Sequence, residues 1–479
     1  MGVWTIDRIS KWAEETQMAQ IRGDRSNPRI SGYSINTRLL QSGEIFIALQ
    51  GTRCDGHTFV EEALKKGASG AMVSRGWFLS ASLSADLLER CFFILVDDPL
   101  AGLQSLAQWH RRQFTLPVVG VTGSNGKTTT KEMLAKILSR RGPVLKNEGN
   151  LNNDIGLPLT LLRLTSEDRV AILEMGISRP GEMKRLCEMA QPTAGLITNI
   201  GPAHLECLED LSGVALEKQV LFDSIPPHGT VVINQDDPYL SKWVGEGREK
   251  WTYGIERGAD LTAVEITQNA AGTTFTLQLN RHHEGGGKQK IVLSLLGAHQ
   301  VYNAMAASAA ALALGYEFDD IRDGLRQMRP ISLRGEVIEA FGATIFLDAY
   351  NANAESIKSA LQTLASSFVP TGSGRKVAIL GDMLELGDAA RKSHLEVGRM
   401  AVQHGIDKLI AIGKWGAFTA QGAKEKGMQK EAISIYKEMQ ELDLSREIQE
   451  GDIVLIKGSR GMGMERAMLA YLKKDKDVI

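Results

Sequence analysis

Lys127 and Thr128 stand directly after a glycine-rich turn, in Gly120-Val121-Thr122-Gly123-Ser124-Asn125-Gly126-Lys127-Thr128-Thr129-Thr130. That order carries the chemistry of a phosphate-binding loop. Glycines let backbone N–H groups turn onto phosphate oxygens, and the helix that follows points its positive end at the anion. Lys127 would reach the β- and γ-phosphates, and the Thr128 hydroxyl would ligate Mg²⁺. Gly123, Ser124, Asn125, Gly126 and Thr129 would complete the phosphate cradle. The general pattern has glycine where Val121 stands, so the loop is a variant with glycines at 120 and 123. Its context is the required one. An apolar run at 118–121 reads as a strand, and 131–138 reads as a helix.

Further candidates follow the next strands. Glu174 ends the apolar run 170–173. In a parallel sheet that end lies beside the phosphate loop, where a carboxylate can hold a hard cation between phosphates. His204 follows the strand 194–198 and would either ligate the same metal, position phosphate or serve structure alone. Lys218 falls in a helical segment, where a lysine by itself reads as solvated. The polar cluster Asn150-Leu151-Asn152-Asn153-Asp154-Ile155-Gly156 would either grip phosphate or substrate or cap a helix.

The elements that must position these residues form an α/β pattern. In the first third, 44–49, 70–73 and 91–96 read as strands, and 51–57 reads as a loop on its Asp-Gly turn. A short amphipathic helix over 59–66 ends at Gly67, and a longer one runs from Asp98 to about 114 with Pro99 at its first position. In the middle third the strands 118–121, 170–173, 194–198 and 230–233 are apolar, β-branched and separated by helices. That predicts a mostly parallel sheet covered on both faces. Residues 273–279 and 290–296 alternate with period two around a loop at Gly285-Gly286-Gly287, a hairpin on the far edge of that sheet. An Ala-rich helix spans 300–314. The last third has its own strands at 344–347, 376–380, 408–412 and 452–456, each ending in Gly, Asp or Lys, where open α/β sheets place ligands. The tail Lys473-Lys474-Asp475-Lys476-Asp477 reads as a solvated end.

Composition sets the bounds. A chain of 479 residues is too long for one core and suggests about three domains. These are expected at 1–116, 117–329 and 330–479. The net charge of -2 offers no general attraction for nucleic acid. No apolar run approaches the length of a membrane span, and Met1 to Arg8 lack the pattern of a signal peptide. Cys54, Cys91, Cys187 and Cys207 are scattered, which predicts reduced thiols and a cytoplasmic protein without a disulfide framework or zinc site.

Taken together, Gly123-Ser124-Asn125-Gly126-Lys127-Thr128, Glu174-Met175-Gly176, His204, and Asn303 after His299 resemble the ATP-dependent muramyl ligases of peptidoglycan precursor synthesis. Folylpolyglutamate synthase and cyanophycin synthetase share much of that core. The last third resembles the branch that adds D-alanyl-D-alanine to UDP-N-acetylmuramoyl-tripeptide. The residues concerned are Arg334-Gly335-Glu336, Asp348-Ala349-Tyr350-Asn351-Ala352-Asn353-Ala354-Glu355-Ser356, Leu380-Gly381-Asp382-Met383-Leu384-Glu385-Leu386-Gly387 and Lys457-Gly458-Ser459-Arg460-Gly461. The diaminopimelate- or lysine-adding branch would show Asn-Pro-Arg near 382. Phe46-Ile47-Ala48-Leu49, Gly51 and Asp55-Gly56-His57 with Phe59 are similar to the family's UDP-sugar domain.

The resemblance implies a three-domain α/β ligase: a UDP-substrate domain, a central ATP domain and a C-terminal Rossmann-like domain that closes on the site. It implies UDP-substrate contacts at Ser34, Thr37, Arg38, Asp55, Gly56 and His57, with Asn152 and Asn153 also near substrate. Thr128, Glu174, His204 and a carbamylated Lys218 would hold Mg²⁺. Asn303 would touch adenine, Arg334 the γ-phosphate, and Asp348, Tyr350 and Asn351 the nucleotide or dipeptide. Lys457, Ser459 and Arg460 would bind a carboxylate. Lys127, Lys218, His204 and Arg334 would be the catalytic set, in a monomer. The chain departs from the family pattern at Asn36-Thr37-Arg38 (commonly Asp-Ser-Arg or Asp-Thr-Arg), at Ala354 (commonly Pro) and at Glu217-Lys218-Gln219-Val220 (commonly Ala-Lys-x-Glu). The same chemistry on another muramyl peptide or a folate is the alternative implied, and a non-catalytic nucleotide switch is the rival from another class.

Overall fold

A computed structural model describes residues 4–23, 30–52, 54–281, 287–340 and 342–466. Arg53, Gly285, Gly286 and the Lys/Asp tail therefore lie outside the described residues. Three sheets follow one another along the chain. The first has five strands, in the order Ala19–Gly23, Phe92–Val96, Gly70–Ser74, Glu44–Ile47 and Gly32–Ser34. Only its first pairing is antiparallel.

The central sheet has nine strands. From one edge they run Val144–Lys146, Val170–Glu174, Val118–Thr122, Ala194–Ile197, Thr230–Asn234, Glu249–Gly254 and Leu261–Asn269, all parallel. Gly272–Leu279 and Gly287–Leu293 then complete it as an antiparallel hairpin on the far edge. The four strands Val118–Thr122, Val170–Glu174, Ala194–Ile197 and Thr230–Asn234 are buried on both faces, as their apolar runs require. The Ala-rich helix Ala298–Ala313 lies in the core against the helix Lys127–Leu138, where small side chains allow close approach. The third sheet has six strands, and its parallel part has Ile453–Lys457 at the centre between Ala343–Leu347 and Lys376–Gly381.

Local signals account for many boundaries. The helix Pro99–Arg111 is capped by Asp98, whose carboxylate accepts from Leu100 N at 3.0 Å. The strands not expected from the sequence are short or at edges, such as Ala19–Gly23, Val144–Lys146 and Glu336–Ala340, or half-exposed like Leu261–Asn269. Their side chains lack the continuous apolar run that marks a buried strand.

One apolar core joins the first sheet to the central one. Trp4, Ile9, Trp12, Leu103 and Leu106 pack with Leu157, Leu161 and Leu162. Trp4 Nε1 donates to Leu162 O at 3.0 Å across the junction. His110 is buried there. One ring nitrogen lies 2.9 Å from Leu164 O and the other 2.9 Å from the Arg8 guanidinium, which requires the neutral tautomer with hydrogen on Nε2. Burial first and Arg8 second push His110 down to about 4 from 6.5. Between those values the unfolded chain binds a proton that the folded chain refuses, so stability falls as pH falls. About 3 kcal/mol is lost on passing from 6.5 through 4. His110→Gln can keep both hydrogen bonds without titrating. Its apparent Tm is expected to fall less than the parent's over that interval, measured by thermal unfolding at stepped pH. Parallel profiles would remove His110 from the acid response.

Candidate active site

The strand Val118–Thr122 is buried throughout and delivers the phosphate loop. Two glycines in it are steric necessities. A Cβ on Gly123, at φ 148°, would lie 1.9 Å from Thr198 Oγ1, and one on Gly126, at φ 81°, would lie 2.2 Å from Asn303 Oδ1. The helix Lys127–Leu138 begins directly after Gly126, a turn earlier than the 131–138 pattern suggested. Val121, where the general pattern has glycine, packs into the core beneath the sheet.

Lys127 Nζ donates to Gly123 O at 2.8 Å and to Ser124 O at 3.3 Å. Burial pushes its pKa down, the Glu174 carboxylate pulls it back up, and Arg334 opposes. Glu174 ends the neighbouring strand and is 3% exposed. Its Oε1 accepts from Asn152 Nδ2 at 2.9 Å, while Oε2 has no hydrogen-bond partner and lies 3.5 Å from Lys131 Nζ. The Asn147 side chain brackets the backbone of Glu174, accepting from its N at 2.7 Å and donating to its O at 2.9 Å. Asn153 Oδ1 instead accepts from Gly156 N at 2.9 Å, at the start of the helix Gly156–Leu161. The two asparagines thus part: Asn152 binds the Glu174 carboxylate, and Asn153 holds the turn that leads into the helix.

His204 sits at φ 54° with Nδ1 2.8 Å from Glu385 Oε2, a contact between the central and C-terminal parts. Burial lowers its pKa, with Glu385 opposing. Lys218 is not the solvated helix lysine that its pattern suggested. It is 2% exposed and makes no hydrogen bond or salt bridge with a described residue. Burial, then Lys127, pushes its ammonium well below the usual lysine value, against the pull of Glu217.

From the C-terminal part, the Arg334 guanidinium lies 3.7 Å from the centre of the Tyr350 ring. Lys457, buried, reaches Asp348 Oδ2 at 2.5 Å and Asn351 O at 2.9 Å. Asn303 donates to Gln300 Oε1 at 3.0 Å and accepts from Thr130 Oγ1 at 3.3 Å, directly behind Gly126.

A cavity of about 880 Å³ gathers most of these groups. Ser124 to Thr129, Asn152, Asn153, Glu174, His204 and Asn303 line it from the central part. Arg334, Asp348, Tyr350, Asn351 and Lys457 line it from the C-terminal part. Gly123 and Lys218 are not among its lining residues. Ser459 and Arg460 are elsewhere: Ser459 Oγ accepts from Leu384 N at 3.0 Å, and Arg460 pairs with Glu465 at 2.6 Å. Ser34, Thr37, Arg38, Asp55, Gly56 and His57 are not at this cavity either. His57 Nδ1 binds Asp55 Oδ1 at 2.7 Å and Nε2 accepts from Ser74 N at 3.0 Å, so both ring nitrogens already order that loop. Lys131, Asn147 and Asn353 were not singled out in the sequence. Lys131 lies one helical turn after Lys127 on the same face, a spacing that would have found it.

Among the described residues no three His, Cys, Asp or Glu side chains form a metal cage. The site suits a cation that keeps phosphate and water ligands, because Glu174 Oε2 is buried without a donor.

Family models match in three stretches: the Mur ligase family catalytic domain over 29–86, the Mur ligase middle domain over 121–311 and the Mur ligase glutamate ligase domain over 333–460. The chain is 37% identical to the UDP-N-acetylmuramoyl-tripeptide–D-alanyl-D-alanine ligase of Bacillus subtilis over 453 residues, covering 93% of this chain and 95% of the relative. Among solved structures, MurF from Acinetobacter baumannii matches with a TM-score of 0.84 and 30% identity over 99% of both chains. The Thermotoga maritima MurF ligase, solved in complex with ADP, matches with a TM-score of 0.77 and 28% identity over 94% of this chain and 98% of that one. By identity and coverage, the chain belongs to the Mur ligase family, in its UDP-N-acetylmuramoyl-tripeptide–D-alanyl-D-alanine ligase branch.

Proposed function

We propose that this chain is an ATP-dependent ligase that joins D-alanyl-D-alanine to the terminal carboxylate of UDP-N-acetylmuramoyl-tripeptide. The observation that carries the chemistry is one cavity lined by both the phosphate loop and the polar end of the C-terminal sheet. Membership of the branch names the substrates, and the ADP complex of a relative supports ATP at the loop.

Forming an amide from a carboxylate and an amine is uphill in water, so the carboxylate is first activated. A tripeptide carboxylate oxygen attacks the γ-phosphorus of ATP, the bond to the bridging oxygen breaks, and ADP leaves. The amine of D-alanyl-D-alanine then attacks the acyl carbon of the acyl phosphate, losing a proton as phosphate departs. Lys127 and Arg334 bring positive charge to the transferring group. Release of Lys127 from the Gly123 and Ser124 carbonyls would let it reach the phosphates. Asn303 and Asp348 hold the nucleotide, and Tyr350 and Asn351 orient the dipeptide. Lys457 acts through Asp348 and the 348–351 turn, because those groups already occupy its ammonium.

Thr128, Glu174, His204 and a carbamylated Lys218 would hold Mg²⁺, which supplies charge neutralisation on the phosphoryl oxygens. A neutral amine is the form that adds CO₂, and burial gives Lys218 that form at a lower pH than an exposed lysine. The resulting carbamate is an anionic oxygen ligand where an ammonium would repel the metal.

Residues 1–116 would carry the UDP-sugar, 117–329 the ATP and 330–479 the closing domain. His57 serves there by ordering the loop at Asp55 and Gly56. The enzyme would work in the cytoplasm, where ATP and UDP-linked precursors are at hand, and as a monomer. No helix among the described residues is long and apolar enough to cross a membrane. Phosphate release is the test: it is expected with UDP-tripeptide and D-alanyl-D-alanine together and with neither alone. Turnover only with glutamate as the amine would overturn the substrate assignment.

A further inference from the structure

The phosphate loop is held by more than its own domain. Asn125 is fixed at its backbone by the end of the neighbouring strand. Its N–H donates to Asn199 Oδ1 at 3.0 Å, and its carbonyl accepts from Thr198 Oγ1 at 2.5 Å and Asn199 Nδ2 at 3.1 Å. On the far side, Gly126 abuts Asn303. The Asn125 side chain points the other way and meets Asn353, 228 positions later in the chain.

Asn353 Nδ2 donates to Asn125 Oδ1 at 2.9 Å. The return contact, Asn125 Nδ2 to Asn353 Oδ1, is 3.5 Å and too long to add much. Asn353 is itself tightly placed. It is the N-cap of the helix Ala354–Ser367, with Oδ1 accepting from Ser356 N at 2.8 Å and its own N–H donating to Ser356 Oγ at 3.0 Å. The cap commits its oxygen to the helix and leaves its NH₂ group facing the loop. Both amides line the cavity, and Asn353 is 9% exposed.

We propose that Asn353 is a positioning residue for the nucleotide: its capped amide holds the Asn125 side chain and so couples docking of the C-terminal domain to the shape of the phosphate loop. Such coupling is reciprocal. If the docked domain favours the nucleotide-ready loop, bound nucleotide favours the docked domain by the same factor. The inference rests on the phosphate loop binding nucleotide, as proposed above.

The test uses the full chain and Asn353→Ser, which keeps a good N-cap but is too short to reach Asn125. Asn125→Ala and the double variant complete a cycle. The readouts are the Kd for ADP by calorimetry, KM for ATP, kcat, the Kd for the UDP-substrate and the apparent Tm. One neutral hydrogen bond predicts that Asn353→Ser weakens ADP binding and raises KM for ATP about three- to ten-fold. Tm and UDP-substrate affinity are expected to stay at the parent's values, and the double variant to be no weaker for ADP than the worse single one. A merely structural cap would instead lower Tm and leave the ADP Kd unmoved. ADP binding by Asn353→Ser within two-fold of the parent, or effects of the two singles that multiply in the double, would overturn the coupling. Failure of the parent itself to bind ADP would sink the phosphate-loop reading instead.

Discussion

Lys127→Ala is expected to lower the ligation rate by about 10³-fold or more, the scale on which a preorganised charge on a transferring phosphoryl group acts. The structure explains why so much rests on one ammonium. Among the described residues, Lys127 donates to Gly123 O and Ser124 O alone. Its electrostatic surroundings combine one carboxylate, Glu174, with a second cation, Arg334. Such a group is held for an incoming polyanion, and burial strengthens its field there. Lys127→Arg is not expected to rescue the rate, because a planar fork cannot take the place of a compact ammonium inside a glycine-walled loop. UDP-substrate affinity is expected to be unchanged, since the UDP-sugar contacts are assigned to Ser34, Thr37, Arg38 and the loop at 55–57, which do not line the cavity. Phosphate release under saturating substrates, with UDP-substrate binding measured in parallel, tests both parts. An Ala variant that keeps the full rate would end the phosphate-loop assignment.

The loop was legible in the sequence because its chemistry is local. Strand, glycines, Lys-Thr and helix are contiguous, although the groups that demand the glycines, Thr198 against Gly123 and Asn303 against Gly126, are distant in the chain. Glu174 was legible for a related reason: a parallel strand next to the loop must end beside it. The far-edge hairpin followed from period-two alternation. What stayed hidden depends on which distant groups a side chain meets. Asn353 carries no expectation of its own in the sequence, and only the fold brings it to Asn125. Ser459 and Arg460 read as carboxylate ligands after a strand; in the fold Ser459 Oγ accepts from Leu384 N, far off in the chain, and Arg460 pairs with Glu465. His57 reads as a contact for substrate, but the Asp55 carboxylate and the Ser74 amide take both its nitrogens. A polar residue type names a capacity to hydrogen-bond, and only tertiary structure says which partner uses it.

Lys218 is where that principle has the largest consequence. Its helix pattern suggested solvent, and the fold places it 2% exposed with no hydrogen bond or salt bridge among the described residues. An unpaired amine in such a place costs stability unless something pairs with it. Lys218→Met keeps the length of the side chain and removes the polar atom. In protein stripped of metal and CO₂, the Met variant is therefore expected to be more stable than the parent, by about 1–3 kcal/mol. The sign of the pH dependence follows from the lowered lysine. Between its folded value and 10.5 the unfolded chain binds the extra proton, so the parent gains stability as pH rises while the variant does not. The gap between them should narrow toward alkaline pH. Activity should move the opposite way, with ligation by the Met variant down about 10²-fold or more, as befits a lost metal ligand. Bicarbonate with Mg²⁺ should raise the Tm of the parent and leave that of the variant unmoved, and native mass should find one CO₂ on the parent alone. A Met variant that ligates at the parent's rate would show that no carbamate is needed. One that melts lower in the stripped state would show that the buried amine already has a partner.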